Sequence, residues 1–209
     1  MLRKSAIVLL SLLLAFGILF ASLLRTASVY YEFNPSDQHP HGGVSREDSK
    51  IDYFLAYQGN VLPDSPLWPI KVTRDKIWFA ITTNPSRKAE LALLFADKRV
   101  AAAEVLFQQG KADIGYSTLT KAEKYLEEAS QLEMENRKEG IDTSDFLVRL
   151  ANAALKHAEV ITYISGIAPD DAKPKLVEVL ESPKKVYWNS YNLLLDKHLK
   201  PPGNPFGWQ

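Results

Sequence analysis

The stretch Asn84–Gly110, NPSRKAELALLFADKRVAAAEVLFQQG, decides the fold class. Asn84 is a residue type that caps helices, and Pro85 suits a first turn, where a missing amide donor costs nothing. Leu91, Leu94, Phe95, Ala101, Val105 and Leu106 then recur at helical spacing, which predicts one inward stripe. Gly110 supplies the stop, because glycine accepts the left-handed conformation that closes many helices. No part of the stretch alternates with the period of two that a half-buried strand requires.

The same pattern repeats on both sides. Upstream, Asp64-Ser65-Pro66 offers a cap, and Leu67, Ile70, Ile77, Trp78 and Ile81 fall on what is expected to be the inward face of a first helix. Downstream, a third helix is predicted from about Asp113 to Asn136. Leu119, Ala122, Leu126 and Ala129 form its stripe, with Lys121, Glu123, Lys124, Glu127 and Glu128 turned outward as a solvated face. After Gly140, Asp142-Thr143-Ser144 caps a fourth helix with Leu147, Leu150, Ala151, Ala154, Ala158 and Ile161 inward, stopping at Gly166. A fifth helical region spans Pro169 to Leu199, with Ser182-Pro183 expected to break or kink it. The connections are short, so neighbours should run antiparallel. The expected architecture is all-α: an up-and-down bundle of four to six helices over residues 61–200, then an irregular Pro/Gly-rich tail, 201–209.

Before the bundle, Arg3 and Lys4 precede an apolar run from Ala6 to Leu24. Nineteen residues at helical rise span about 28 Å, close to the hydrocarbon thickness of a bilayer and longer than a usual signal core. Residues 1–28 therefore read as an N-terminal transmembrane anchor, with a cleaved signal as the alternative. The charge bias places the N-terminus in the cytoplasm and the C-terminal domain outside. Residues 29–60 read as a juxtamembrane spacer, and 34–50 carry no apolar period. The expected location is the cell membrane, single-pass, or outside the cell if the signal is cleaved.

Composition closes off several function classes. Arg3, Lys4 and Arg25 are the only charges before residue 29, which leaves 22 basic against 25 acidic residues in the remainder. That balance lacks the basic footprint of nucleic-acid binding. The chain has no cysteine, so disulfides, thiolate metal sites and cysteine nucleophiles are excluded. His39 and His41 lie close together in the spacer, but two imidazoles fall short of the three or four ligands of a firm metal site. No phosphate loop, dinucleotide fingerprint, nucleophile elbow or zinc-protease helix occurs. No catalytic, cofactor or metal residue is assigned, and the chain is read as a non-enzyme.

Three segments together carry a resemblance: Leu62-Pro63-Asp64-Ser65-Pro66-Leu67-Trp68-Pro69-Ile70-Lys71, Thr83-Asn84-Pro85-Ser86-Arg87-Lys88-Ala89-Glu90-Leu91, and Phe95-Ala96-Asp97-Lys98-Arg99. Over residues 60–130 the chain resembles the DUF5667 family, a bacterial helical domain often found behind a membrane segment. Trp68 stands where that family usually has tyrosine, and Ala102 or Ala103 near a usual glutamate. The resemblance implies a helical, exported domain and no activity. A looser similarity to one tetratricopeptide-type helix pair, Ala101 to Ala129, lacks the roughly 34-residue repeat that would support it.

The aromatics are the remaining signal. Trp68, Trp78 and Phe79 on the first helix and Tyr187, Trp188 and Tyr191 on the last exceed what a small bundle core needs. Packing between the first and last helices is the plain reading. The functional one makes Trp68, Lys71, Trp78 and Phe79 a partner-binding surface for another exported protein, since exposed aromatics mark interfaces. A small-ligand or metal-binding bundle is the alternative, ahead of an enzyme on envelope polymers.

Overall fold

A computed structural model describes residues 50–208, together with Ser11, Leu14 and Ala15. The apolar run 6–24, apart from those three residues, and the spacer up to residue 49, with His39 and His41, lie outside the described residues. Among the described residues, no helix is long and apolar enough to cross a membrane.

Over residues 50–208 five helices follow in order: α1 Trp68–Ile81, α2 Pro85–Gln108, α3 Ala112–Lys138, α4 Ser144–Ile167 and α5 Lys173–Asp196. No strand occurs among the described residues. The sequence signals act where expected. The Asn84 side chain accepts a hydrogen bond from the Arg87 amide at 3.0 Å, capping α2. Gly110 and Gly140 hold φ of +74° and +82° just beyond α2 and α3, which lets the chain reverse.

α2 and α3 form one antiparallel hairpin. Gly115, near the start of α3, lies so close to Phe107 that an added Cβ would stand 2.7 Å from the ring. α4 runs antiparallel to α3, with Thr143 Oγ1 bonded to Glu133 and His157 to Glu123. α5 returns along α4, so that Leu176 and Val179 pack with Val160 and Ile164. The fully buried residues Leu119, Ala122, Leu126 and Ala129 of α3, and Leu147, Leu150, Ala151, Ala154, Ala158 and Ile161 of α4, are those the spacing predicts. Alanine at many contact positions lets these helices approach closely while still burying apolar area.

α5 is one helix that carries Pro183 inside it. Proline removes one backbone donor. Val179 and Val186, on either side, pack into different parts of the core and hold the helix across the gap. The tail is irregular but not loose. Tyr187 donates to the Pro202 carbonyl at 2.8 Å, and the Trp208 ring lies 5.9 Å from that of Tyr187. Trp188 packs edge-on with both Tyr187 and Tyr191, and those two tyrosine rings are tilted against each other, so the ring partners of the last helix are one another and the tail.

Two readings of helix faces are corrected. α1 does not turn Leu67, Ile70 and Ile77 inward. They are 55%, 69% and 40% exposed, while Asp75 and Trp78 are buried. Glu123, assigned to the solvated face of α3, is buried at 3% exposure. Glu123 finds His157 inside the bundle, a partner that outweighs the apolar pattern, whereas the buried Asp75 pairs with Arg74 of its own helix. Part of the sequence assigned to the spacer also packs: Ile51 is buried in the core, and residues 50–62 form an extended strap along the bundle.

Candidate functional site

A histidine lies in the middle of the core. His157 of α4 is fully buried, and both ring nitrogens face carboxylates at 3.0 Å: Nε2 with Asp97 Oδ1 of α2, and Nδ1 with Glu123 Oε1 of α3. Both nitrogens can donate only if the ring is the imidazolium. Burial alone would push its pKa down. The two carboxylates outweigh that and raise it from 6.5 to about 9. The second oxygen of Asp97 accepts from the Tyr53 hydroxyl at 2.8 Å, which ties the strap to the same cluster. Glu123 Oε2 is buried and has no hydrogen-bond partner. Burial raises the Glu123 pKa despite His157 beside it.

The position of this cluster explains it. Ala96, Leu126 and Leu155 belong to one apolar part of the core, and Val100, Ala122 and Val160 to another. Asp97, Glu123 and His157 fall between those two sets on their own helices. They form a charged layer across three helices. A slip of one helix along another would leave a buried charge unpaired, so the layer sets the register of the bundle. Because each imidazole nitrogen is held by a carboxylate, neither lone pair is presented to a metal or a substrate proton. No group of three or more His, Asp and Glu suited to a metal occurs among the described residues.

The second polar cluster joins α1 to the bundle. Lys71, Asp75 and Trp78 share the inner side of α1 at spacings of four and three. Lys71 Nζ bonds the Gln58 and Val61 carbonyls and lies 5.0 Å from the Trp68 ring, so it fastens the strap to α1. Asp75 pairs with Arg74 at 2.6 Å. The Trp78 ring meets Phe95 edge-on at 5.9 Å, but its buried Nε1 has no hydrogen-bond partner. Phe79 is half-buried, with Lys88 over its face at 5.1 Å.

Trp68, Lys71, Trp78 and Phe79, the candidate partner residues, thus share α1, with Trp78 buried and the other three half-buried. What lies fully outward is the apolar row Leu67, Ile70 and Ile77, flanked by exposed Arg74 and Lys76.

The layer of Asp97, Glu123 and His157 escaped the sequence reading, although each residue carried a signal. Glu123 stands four residues after Leu119 and three before Leu126, and His157 three after Ala154 and four before Ile161, all four of them fully buried. A titratable residue within an apolar stripe demands a partner in the fold. No spacing in one chain says which partner.

A model of the DUF5667 family, described as a domain of unknown function, matches residues 60–171. The match takes in α1 to α4, hence all three members of the charged layer, and ends before α5. No curated protein and no solved structure matches the chain.

Proposed function

This chain belongs to the DUF5667 family, a domain of unknown function, and we propose that it is a membrane-tethered, extracytoplasmic interaction module that binds another exported protein through α1. The observation that carries this reading is the outward apolar row of Leu67, Ile70 and Ile77. A short surface helix ordinarily buries its apolar stripe and exposes its charges. α1 keeps a charged and aromatic face toward the bundle and presents isoleucine to solvent. The cost of exposing that row is recovered when a partner covers it, at about 25 cal/mol per Å² of apolar area. The apolar run 6–24 supports the tether, and the strap from Lys50, bonded through its amide to Glu159, supports a defined exit toward it.

The test uses the full chain with a C-terminal tag in cells that carry it naturally. A photo-crosslinking residue at Ile70 or Ile77 should give one discrete adduct, and the same residue at Glu178 of α5 should give none. Carbonate-washed membranes should retain the chain at full mass. Adducts of equal yield from all three positions, or release of a shortened chain into the wash, would remove the interface or the tether respectively.

A further inference from the structure

Arg99 is a buried cation with no bonded carboxylate among the described residues. It is 5% exposed, and its one hydrogen bond among the described residues runs from Nη1 to the carbonyl of Phe95, one turn back on its own helix. Its guanidinium lies 4.4 Å from the Tyr125 ring centre and 5.6 Å from that of Phe95, wedged against aromatic faces. Buried charges are ordinarily paired. Lys98, next in the chain and half-buried, has no hydrogen bond or ion pair among the described residues.

The surroundings sharpen the imbalance. Arg99 and Lys98 interact electrostatically with each other, with Lys71, and with Asp75; Lys71 and Lys98 also feel Arg74. Among the described residues, Asp75 is the one carboxylate that acts on Lys71, Lys98 and Arg99, and it already accepts a short bond from Arg74. Four cations thus meet one carboxylate. Trp78 is joined to them through Phe95, whose ring lies 5.9 Å from that of Trp78 and 5.6 Å from the Arg99 guanidinium, and its Nε1 donor is buried without an acceptor.

We infer that the inner side of α1, with the facing turn of α2, binds a phosphoryl-type oxyanion through Arg99, Lys98 and the Trp78 Nε1–H, with the exposed Arg74 at the rim. A planar guanidinium presents paired donors that match the oxygens of such an anion, and a lysine adds a point charge. An excess of three positive charges suits a multiply charged oxyanion better than a single carboxylate. The site is distinct from the outward row of α1 and does not rest on the interaction reading. The phosphoryl group has two available sources: a free phosphate, or the headgroup of an anionic lipid beside the tether.

The full chain in neutral detergent micelles at constant ionic strength separates them. Tryptophan emission is followed while inorganic phosphate replaces chloride, and separately while phosphatidylglycerol replaces neutral detergent. Saturation by phosphate at about 1 mM or below identifies the free anion. A response only to the doped micelles identifies the lipid headgroup. Lys98→Gln should weaken either response about tenfold or more, because a charge-assisted contact is lost. Arg99→Lys keeps the charge but not the fork, and should weaken it as well, with folding checked by the thermal midpoint. No change in either titration overturns the site, and so does a change that both variants leave intact.

Discussion

The α2–α5 bundle and α1 handle the same residue types in opposite ways. In the bundle, the core is built from apolar side chains and is crossed by a charged layer, Asp97, Glu123 and His157, whose hydrogen bonds run between helices. In α1, the buried members are Asp75 and Trp78, and the apolar row faces solvent. The bundle is therefore specified from within. α1 is held by a lysine clamped on strap carbonyls and by ring contacts with α2, and its apolar row is exposed. On the proposed function, the difference separates a region that carries stability from one that carries recognition.

The largest expected effect lies in the layer. Replacing His157 by leucine leaves two buried carboxylates facing each other, and urea unfolding should record a loss of about 3–5 kcal/mol. A loss below about 1 kcal/mol would mean that the layer is not a fixed ion cluster.

The next effect is pH dependence. His157 has its pKa raised from 6.5 to about 9 in the fold. A group raised on folding contributes stability that is full below pH 6.5 and disappears as pH rises through 9. The shift corresponds to about 3 kcal/mol. Thermal midpoints measured between pH 6 and pH 10 should fall across that window, and His157→Leu should flatten the fall. Raising the Glu123 pKa acts in the same sense, since the fold disfavours its charged form.

A smaller effect tests packing in the hairpin. Gly115→Ala places a methyl 2.7 Å from Cδ2 of Phe107. The overpacking should cost about 1–3 kcal/mol in the same unfolding measurement.

The smallest effect belongs to α1. Ile70→Ser should change stability by no more than about 0.5 kcal/mol, because the side chain is already exposed. The comparison would break if Ile70→Ser were as costly as Gly115→Ala.

How much of this was legible follows the same division. Leu119, Leu126, Leu147 and Leu150 repeat at helical spacing on helices that bury one face, so periodicity alone finds the core. Asn84, Gly110 and Gly140 mark helix ends by local chemistry that needs no tertiary contact. Periodicity misleads in α1, because Leu67, Ile70 and Ile77 do share a face and only the tertiary position of Asp75 decides which way it points. Glu123 resembles its exposed neighbour Glu127 until His157 arrives from a residue 34 positions away in the chain. Trp68, Lys71, Trp78 and Phe79 do share one helix, but its apolar row faces outward where periodicity predicts core.

The account turns on the outward row of α1, and the absence of cysteine makes a direct measurement possible. Single cysteines are placed at Ile70 and, as a control, at Glu178 of α5, both exposed. A membrane-impermeant maleimide is added to intact cells that carry the chain naturally, and to the purified chain. The account predicts that both positions label in the purified chain, while in cells Glu178→Cys labels and Ile70→Cys is protected. Equal labelling of the two positions in cells would contradict it.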